Sequence, residues 1–163
     1  MAQVNMIWQE TGRTMTGVNG NTTSAITAGD ILYASGSTAV KFGTTAPGNY
    51  GYDDIEVEPV KFATAAAQGA SVIGIAMEDA AAGSQVMFYT EGVFFSPIIN
   101  TTCPLRAGAP VGCAEGTTTP GVIRCGTTTR TAADLKLHLG VALTGGATSG
   151  DYILWKFNAA SRL

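Results

Sequence analysis

Charge is scarce in this sequence. Only 13% of its 163 residues are Asp, Glu, Lys or Arg, roughly half the fraction usual in a globular domain. The nine basic residues are scattered without a run or stripe, which excludes the electrostatic footprint of a nucleic-acid binder. No apolar stretch reaches the roughly 18 residues that a membrane-spanning helix needs. The opening segment, Met1 to Trp8, lacks the basic region and long apolar core of a secretory signal. Synthesis in a cytoplasm, with no nucleic-acid or membrane partner, is the expectation. Catalytic patterns are equally thin. His138 is the single histidine, there is no Cys-x-x-Cys pair and no Gly-x-Ser-x-Gly elbow, so neither a zinc site nor a serine nucleophile is signalled.

Cysteine is limited to Cys103, Cys113 and Cys125. An odd count in an unsecreted chain points to reduced thiols filling small apolar spaces. A Cys103–Cys125 bridge, or pairing at an oligomer axis, stays open. Asn21-Thr-Thr and Asn100-Thr-Thr match the glycosylation pattern, which carries little meaning without a secretory signal.

What the sequence does contain is a repeat. Ile26-Thr-Ala-Gly-Asp-Ile-Leu-Tyr33, Val72-Ile-Gly-Ile-Ala-Met77 and Ala82-Gly-Ser-Gln-Val-Met-Phe88 recur in order as Leu105-Arg-Ala-Gly-Ala-Pro-Val111, Leu139-Gly-Val-Ala-Leu143 and Ser149-Gly-Asp-Tyr-Ile-Leu154. Each copy offers an Ala-Gly turn entering an apolar strand, then an (Ile/Leu)-Gly-(Ile/Val)-Ala strand, then a Gly-led final strand. Such a duplication, with no catalytic residues in it, reads as a building block. The chain divides into an extended N-terminal arm, 1–24, and a β domain, 25–163, made of two related halves, about 25–98 and 99–163.

Abundant Gly and Thr, short apolar alternations and no long amphipathic helix give an all-β class of duplicated small β-barrel units. Hairpins are expected for 31–34 with 39–42, for 86–89 with 92–95, and for 111–114 with 120–125. Pro59 should push the strand Ile55-Glu-Val-Glu-Pro59 to a sheet edge. Residues 63–68 suit one helical turn. The second copy is shorter, largely because the first carries a breaker-rich insertion at 43–54.

Leu135, Leu137 and Leu139 alternate with Lys136 and His138, so the histidine faces solvent or a subunit contact. The acidic group Asp53, Asp54, Glu56 and Glu58 is the densest charge cluster. With Ile55 and Val57 inward, three of its carboxylates share one strand face. Calcium could use such oxygens, but the Asp-x-Asp-x-Asp-Gly loop is missing, so the strip reads as a solvated or partner-facing strand. Gly145-Gly-Ala-Thr-Ser-Gly150 is not followed by Gly-Lys-Ser/Thr and reads as a turn, not a phosphate loop. Most aromatics, Phe88, Phe94, Phe95 and Trp155 among them, fall on strands and default to the core. The exceptions are Tyr50 and Tyr52 in the insertion and Trp8 in the arm, beside Met6 and Ile7. The candidate contact residues are therefore Met6, Ile7, Trp8, Tyr50, Tyr52, Asp54 and Glu56, with no catalytic residue, metal or cofactor expected.

At Ala28-Gly-Asp-Ile-Leu32, Val72-Ile-Gly-Ile-Ala76 and the run from Gly83 to Val93 the chain resembles the small capsid decoration (cement) proteins of tailed bacteriophages, of the lambda head-decoration type. The resemblance spans about 25–157. It implies a β-clip or β-tulip-like fold, a homotrimer over junctions of the major capsid protein on the outer capsid surface, stabilisation of the expanded icosahedral head, and an arm lying against the capsid. The Ala-Gly-Asp-Ile-Leu pattern also resembles antifreeze-like domains, which would require a fused catalytic domain. A carbohydrate-binding β module using Tyr50, Tyr52 and the acidic strip is the alternative of a different class.

Overall fold

The computed structural model describes residues 6–9, 13–21, 23–35, 55–59, 72–98, 105–113, 122–124 and 138–158. They form eleven strands: β1 (Met6–Gln9), β2 (Thr14–Asn19), β3 (Ile31–Ala34), β4 (Glu56–Pro59), β5 (Val72–Ala76), β6 (Gln85–Tyr89), β7 (Glu91–Pro97), β8 (Pro110–Cys113), β9 (Val122–Arg124), β10 (His138–Ala142) and β11 (Tyr152–Asn158). No helix occurs among the described residues, and the protein is all-β. Strands β2-β4-β3-β5-β6 close into a barrel, and the other six form an open sheet ordered β1-β7-β11-β10-β8-β9.

The two sets have the same wiring. In the barrel β2 pairs with β6, β6 with β5, β5 with β3 and β3 with β4. In the sheet β7 pairs with β11, β11 with β10, β10 with β8 and β8 with β9. The register matches rung by rung: Thr16 faces Met87 as Phe95 faces Leu154, and Ala76 faces Phe88 as Ala142 faces Trp155. The correspondence begins at β2 and β7, so each five-stranded set includes residues that precede its Ala-Gly landmark. The sets differ in one place. In the barrel β4 closes in parallel onto β2, whereas the equivalent edge of β7 holds β1, antiparallel.

The repeated glycines follow from this geometry. Gly29 and Gly108 turn with φ of 91° and 83°, a region that side-chain-bearing residues rarely enter. Each then donates its N–H to the matching strand, Gly29 to the Ala76 carbonyl and Gly108 to that of Ala142. Gly74 and Gly140 lie where neighbouring strands approach closely. A Cβ at Gly74 would strike the Phe88 ring, and one at Gly140 would fall on the Lys156 carbonyl.

Two apolar clusters form the core. Ile26, Leu32, Val57, Ala76, Val86 and Phe88 fill the barrel. Alternate residues of the barrel strands point outward, and Ile31, Val72 and Ile75 join Phe94, Leu139, Ile153, Trp155 and Phe157 in the second cluster. The outer wall of the barrel thus supplies part of the core of the open sheet.

Three sequence expectations meet this topology differently. The 111–114 and 120–125 pairing is present as β8–β9. The 86–89 and 92–95 runs do not form a hairpin. β6 already has β2 and β5 on its two edges, so the chain passes at Thr90 into the other sheet. Nor is β4 an edge strand, since it lies between β2 and β3; Pro59 is tolerated because it ends the strand beyond the last β2 pair, Asn19 with Val57. β3 likewise has β4 and β5 on its edges. Residues 39–42 and 63–68 lie outside the described residues.

Candidate interaction surface

The candidate contact residues are placed unevenly. Met6, Ile7 and Trp8 belong to β1, where Met6 lies opposite Phe95 and Ile7 opposite Phe94, and the register shifts before Gln9. Glu56 is exposed on β4 opposite Val18. Tyr50, Tyr52 and Asp54 lie outside the described residues. Within the acidic strip Val57 is buried and Glu56 exposed, as the alternation requires. Glu58 instead turns to internal work, accepting hydrogen bonds from Asn21 Nδ2 at 3.4 Å and Tyr33 Oη at 3.3 Å.

Asn19, Asn21, Thr23 and Ser24 are joined in one hydrogen-bonded network beside the barrel strands. Buried Asn19 donates through Nδ2 to the carbonyls of Ser24, Ala80 and Ala81 and accepts from the Asn21 N–H. Asn21 accepts from Thr23 and Ser24. Its side chain is buried in this network, so the glycosylation pattern at Asn21 is sterically closed in the folded protein.

Carboxylates serve the turns. Asp30 accepts from the Thr27 N–H and Asp79 from the Ala28 N–H, each at 2.8 Å. Burial raises the Asp30 pKa; the Thr27 hydrogen bond opposes that rise and the neighbouring Asp79 charge adds to it. Asp151 accepts from the N–H groups of Thr148 and Ala147 and from the Thr148 hydroxyl. Those bonds, the Thr148 N–H foremost, hold its pKa below the ordinary carboxylate range. No group of three or more His, Cys, Asp or Glu able to hold a metal occurs among the described residues.

The most extensive candidate surface is one that residue patterns alone did not reveal: the outer face of the open sheet. Phe94, Trp155 and Phe157 point inward and are buried, while Val93, Phe95, Pro97 and Leu154 alternate outward and are half-buried. Val141, Leu143 and Tyr152 retain 40, 47 and 43% of their surface. Tyr152 stacks on Phe95, with ring centroids 4.9 Å apart and planes at 28°. Strands β7 and β11 are apolar on both sides, which in sequence reads as a fully buried strand. Their outward rows were the available signal.

No curated protein matches the chain. Among solved structures, the N base of the head fiber gp8.5 of bacteriophage phi29 aligns with a TM-score of 0.49 at 10% identity, over 90% of this chain and 96% of that one. The model of the phage cement protein family matches residues 54–157, from the segment entering β4 to the end of β11. Residues 54–157 make up well over half of the sequence, so the chain belongs to the phage cement protein family.

Proposed function

We propose that this protein decorates an icosahedral phage capsid, binding as a trimer over junctions between major capsid protein subunits and stabilising the lattice. The carrying observation is the family match across 54–157, which supports a structural role in the phage capsid. The mechanism is binding energy. Apolar surface removed from water contributes roughly 25 cal/mol per Å², and a ligand that binds only the assembled lattice stabilises it by mass action. Many copies on one head make modest individual affinities sufficient.

Met6, Ile7, Trp8, Tyr50, Tyr52, Asp54 and Glu56 are the proposed contact residues. β1 supports the first three, because it lies along the open sheet beside the apolar face. The test adds purified protein to undecorated heads and follows their heat resistance. Saturable binding with a raised disruption temperature is expected; heads that neither bind the protein nor gain resistance would refute the reading.

A further inference from the structure

The chain contains its own control for the apolar face. Because β2 and β6 match β7 and β11 rung for rung, each outward position of the sheet has a counterpart on the barrel. Phe95 and Pro97 stand where the barrel has Thr16 and Val18. Tyr152 and Leu154 stand where it has Gln85 and Met87. At two of these four positions the barrel carries polar residues, Thr16 for Phe95 and Gln85 for Tyr152, so the fold does not demand the two aromatic ones. A stacked aromatic pair spanning two strands on an outward apolar face marks an interaction site.

The occupant is also indicated within the chain. Val141 corresponds to Ile75, since each pairs with the matching residue of the final strand, Lys156 and Tyr89 respectively. Ile75 is fully buried because another five-stranded set of the same design covers the outer wall of the barrel. Val141, at the corresponding position of the sheet, keeps 40% of its surface exposed. Charge agrees with a like partner. Among the described residues of β7, β11 and β10 the face carries one anion, Glu91, and one cation, Lys156, near the same end, Glu91 opposite Asn158 and Lys156 opposite Val93. An apolar field with both signs at its rim complements another copy of itself and is not tuned to a strongly acidic or basic surface.

We infer that the outer face of β7, β11 and β10 is where this protein associates with further copies of its own chain, with Phe95 and Tyr152 as the central anchors. The inference names the self-contact of the decorating oligomer and rests on that reading, but it is tested without any capsid. Sedimentation equilibrium is run on the wild-type chain and on a Phe95→Thr/Tyr152→Gln variant, which borrows residues the barrel tolerates at the same positions. A Leu143→Thr variant, at the exposed residue just past the end of β10, provides a second measure. Near-ultraviolet dichroism and tryptophan emission confirm folding. The wild type is expected as an oligomer at micromolar concentration, with a dissociation constant raised at least tenfold in folded variants. A monomeric wild type, or a folded variant with unchanged association, overturns the inference. A monomer that still protects heads would sink this self-contact while leaving decoration intact; an oligomer that fails to protect them would do the reverse.

Discussion

Ser96 and Trp155 show how single residues have adjusted within a duplicated frame. In the barrel the rungs Met15–Phe88 and Gly17–Val86 match Phe94–Trp155 and Ser96–Ile153 of the sheet. Where Phe88 has become an indole, its buried N–H needs an acceptor, and Ser96 Oγ supplies it at 2.7 Å in the place of Gly17. Ser96→Ala should therefore cost about 1–3 kcal/mol by orphaning that donor, and much less in a Trp155→Phe background. A urea-melt double-mutant cycle checks this, and equal costs in both backgrounds would dismiss the pairing. Gly140→Ala should cost about 2–3 kcal/mol or more, since the Lys156 backbone it meets cannot rotate away. Acid titration separates two aspartates. Asp30 has a raised folded pKa, so its contribution to stability is complete below the unfolded pKa and is lost as pH rises through the folded value. Asp151 has a lowered one, so its contribution is present above the unfolded pKa and lost as pH falls through the folded value. Asp30→Asn and Asp151→Asn should flatten opposite slopes in a stability profile between about pH 3 and pH 6.

At the level of strands, the repeat was legible because its glycines answer to backbone demands, at Gly29 and Gly108 through φ and at Gly74 and Gly140 through strand approach. The β6–β7 connection was not legible, because short apolar runs on either side of Thr90 have the local pattern of a hairpin. Nothing local records that both edges of β6 are filled from elsewhere. The segment 1–24 offered the same difficulty: its Met-Ile-Trp knot was visible, but its partner Phe94–Phe95 lies far along the chain. Deleting residues 1–9 removes β1 and bares the edge of β7. Amide exchange should then accelerate at β7 while the barrel interior stays protected, and unchanged exchange at β7 would show that β1 does not shield it. A bare edge also invites aggregation, so the truncated chain should lose solubility before it loses secondary structure.

Across the whole molecule, the two sets cannot be treated as separable domains in energy. Ile31, Val72 and Ile75 belong to barrel strands, yet they complete the cluster around Trp155. Ile75→Ala should destabilise by about 2–4 kcal/mol and shift the Trp155 emission and far-ultraviolet transitions together. Two separated transitions would count against a shared core. The candidate surface was hidden from sequence for a related reason. Strands apolar on both faces signify burial, and only the three-dimensional pairing reveals that one face of β7 and β11 is turned outward.

The ladder along the N-terminal segment has a mechanical meaning. β1 beside β7 and β2 beside β6 make a two-part ribbon, from Met6–Phe95 to Gln9–Val93 and from Thr14–Tyr89 to Val18–Gln85, and between the parts the Thr90 N–H and hydroxyl both donate to the Arg13 carbonyl. The ribbon crosses from the sheet to the barrel. Tension applied along it loads all its rungs at once, in shear, whereas tension across it would open them one after another. In the proposed decorating role, an anchor near Met6 pulled along the strands would bear on both halves of the molecule together, and single-molecule pulling along the two directions should give clearly different rupture forces.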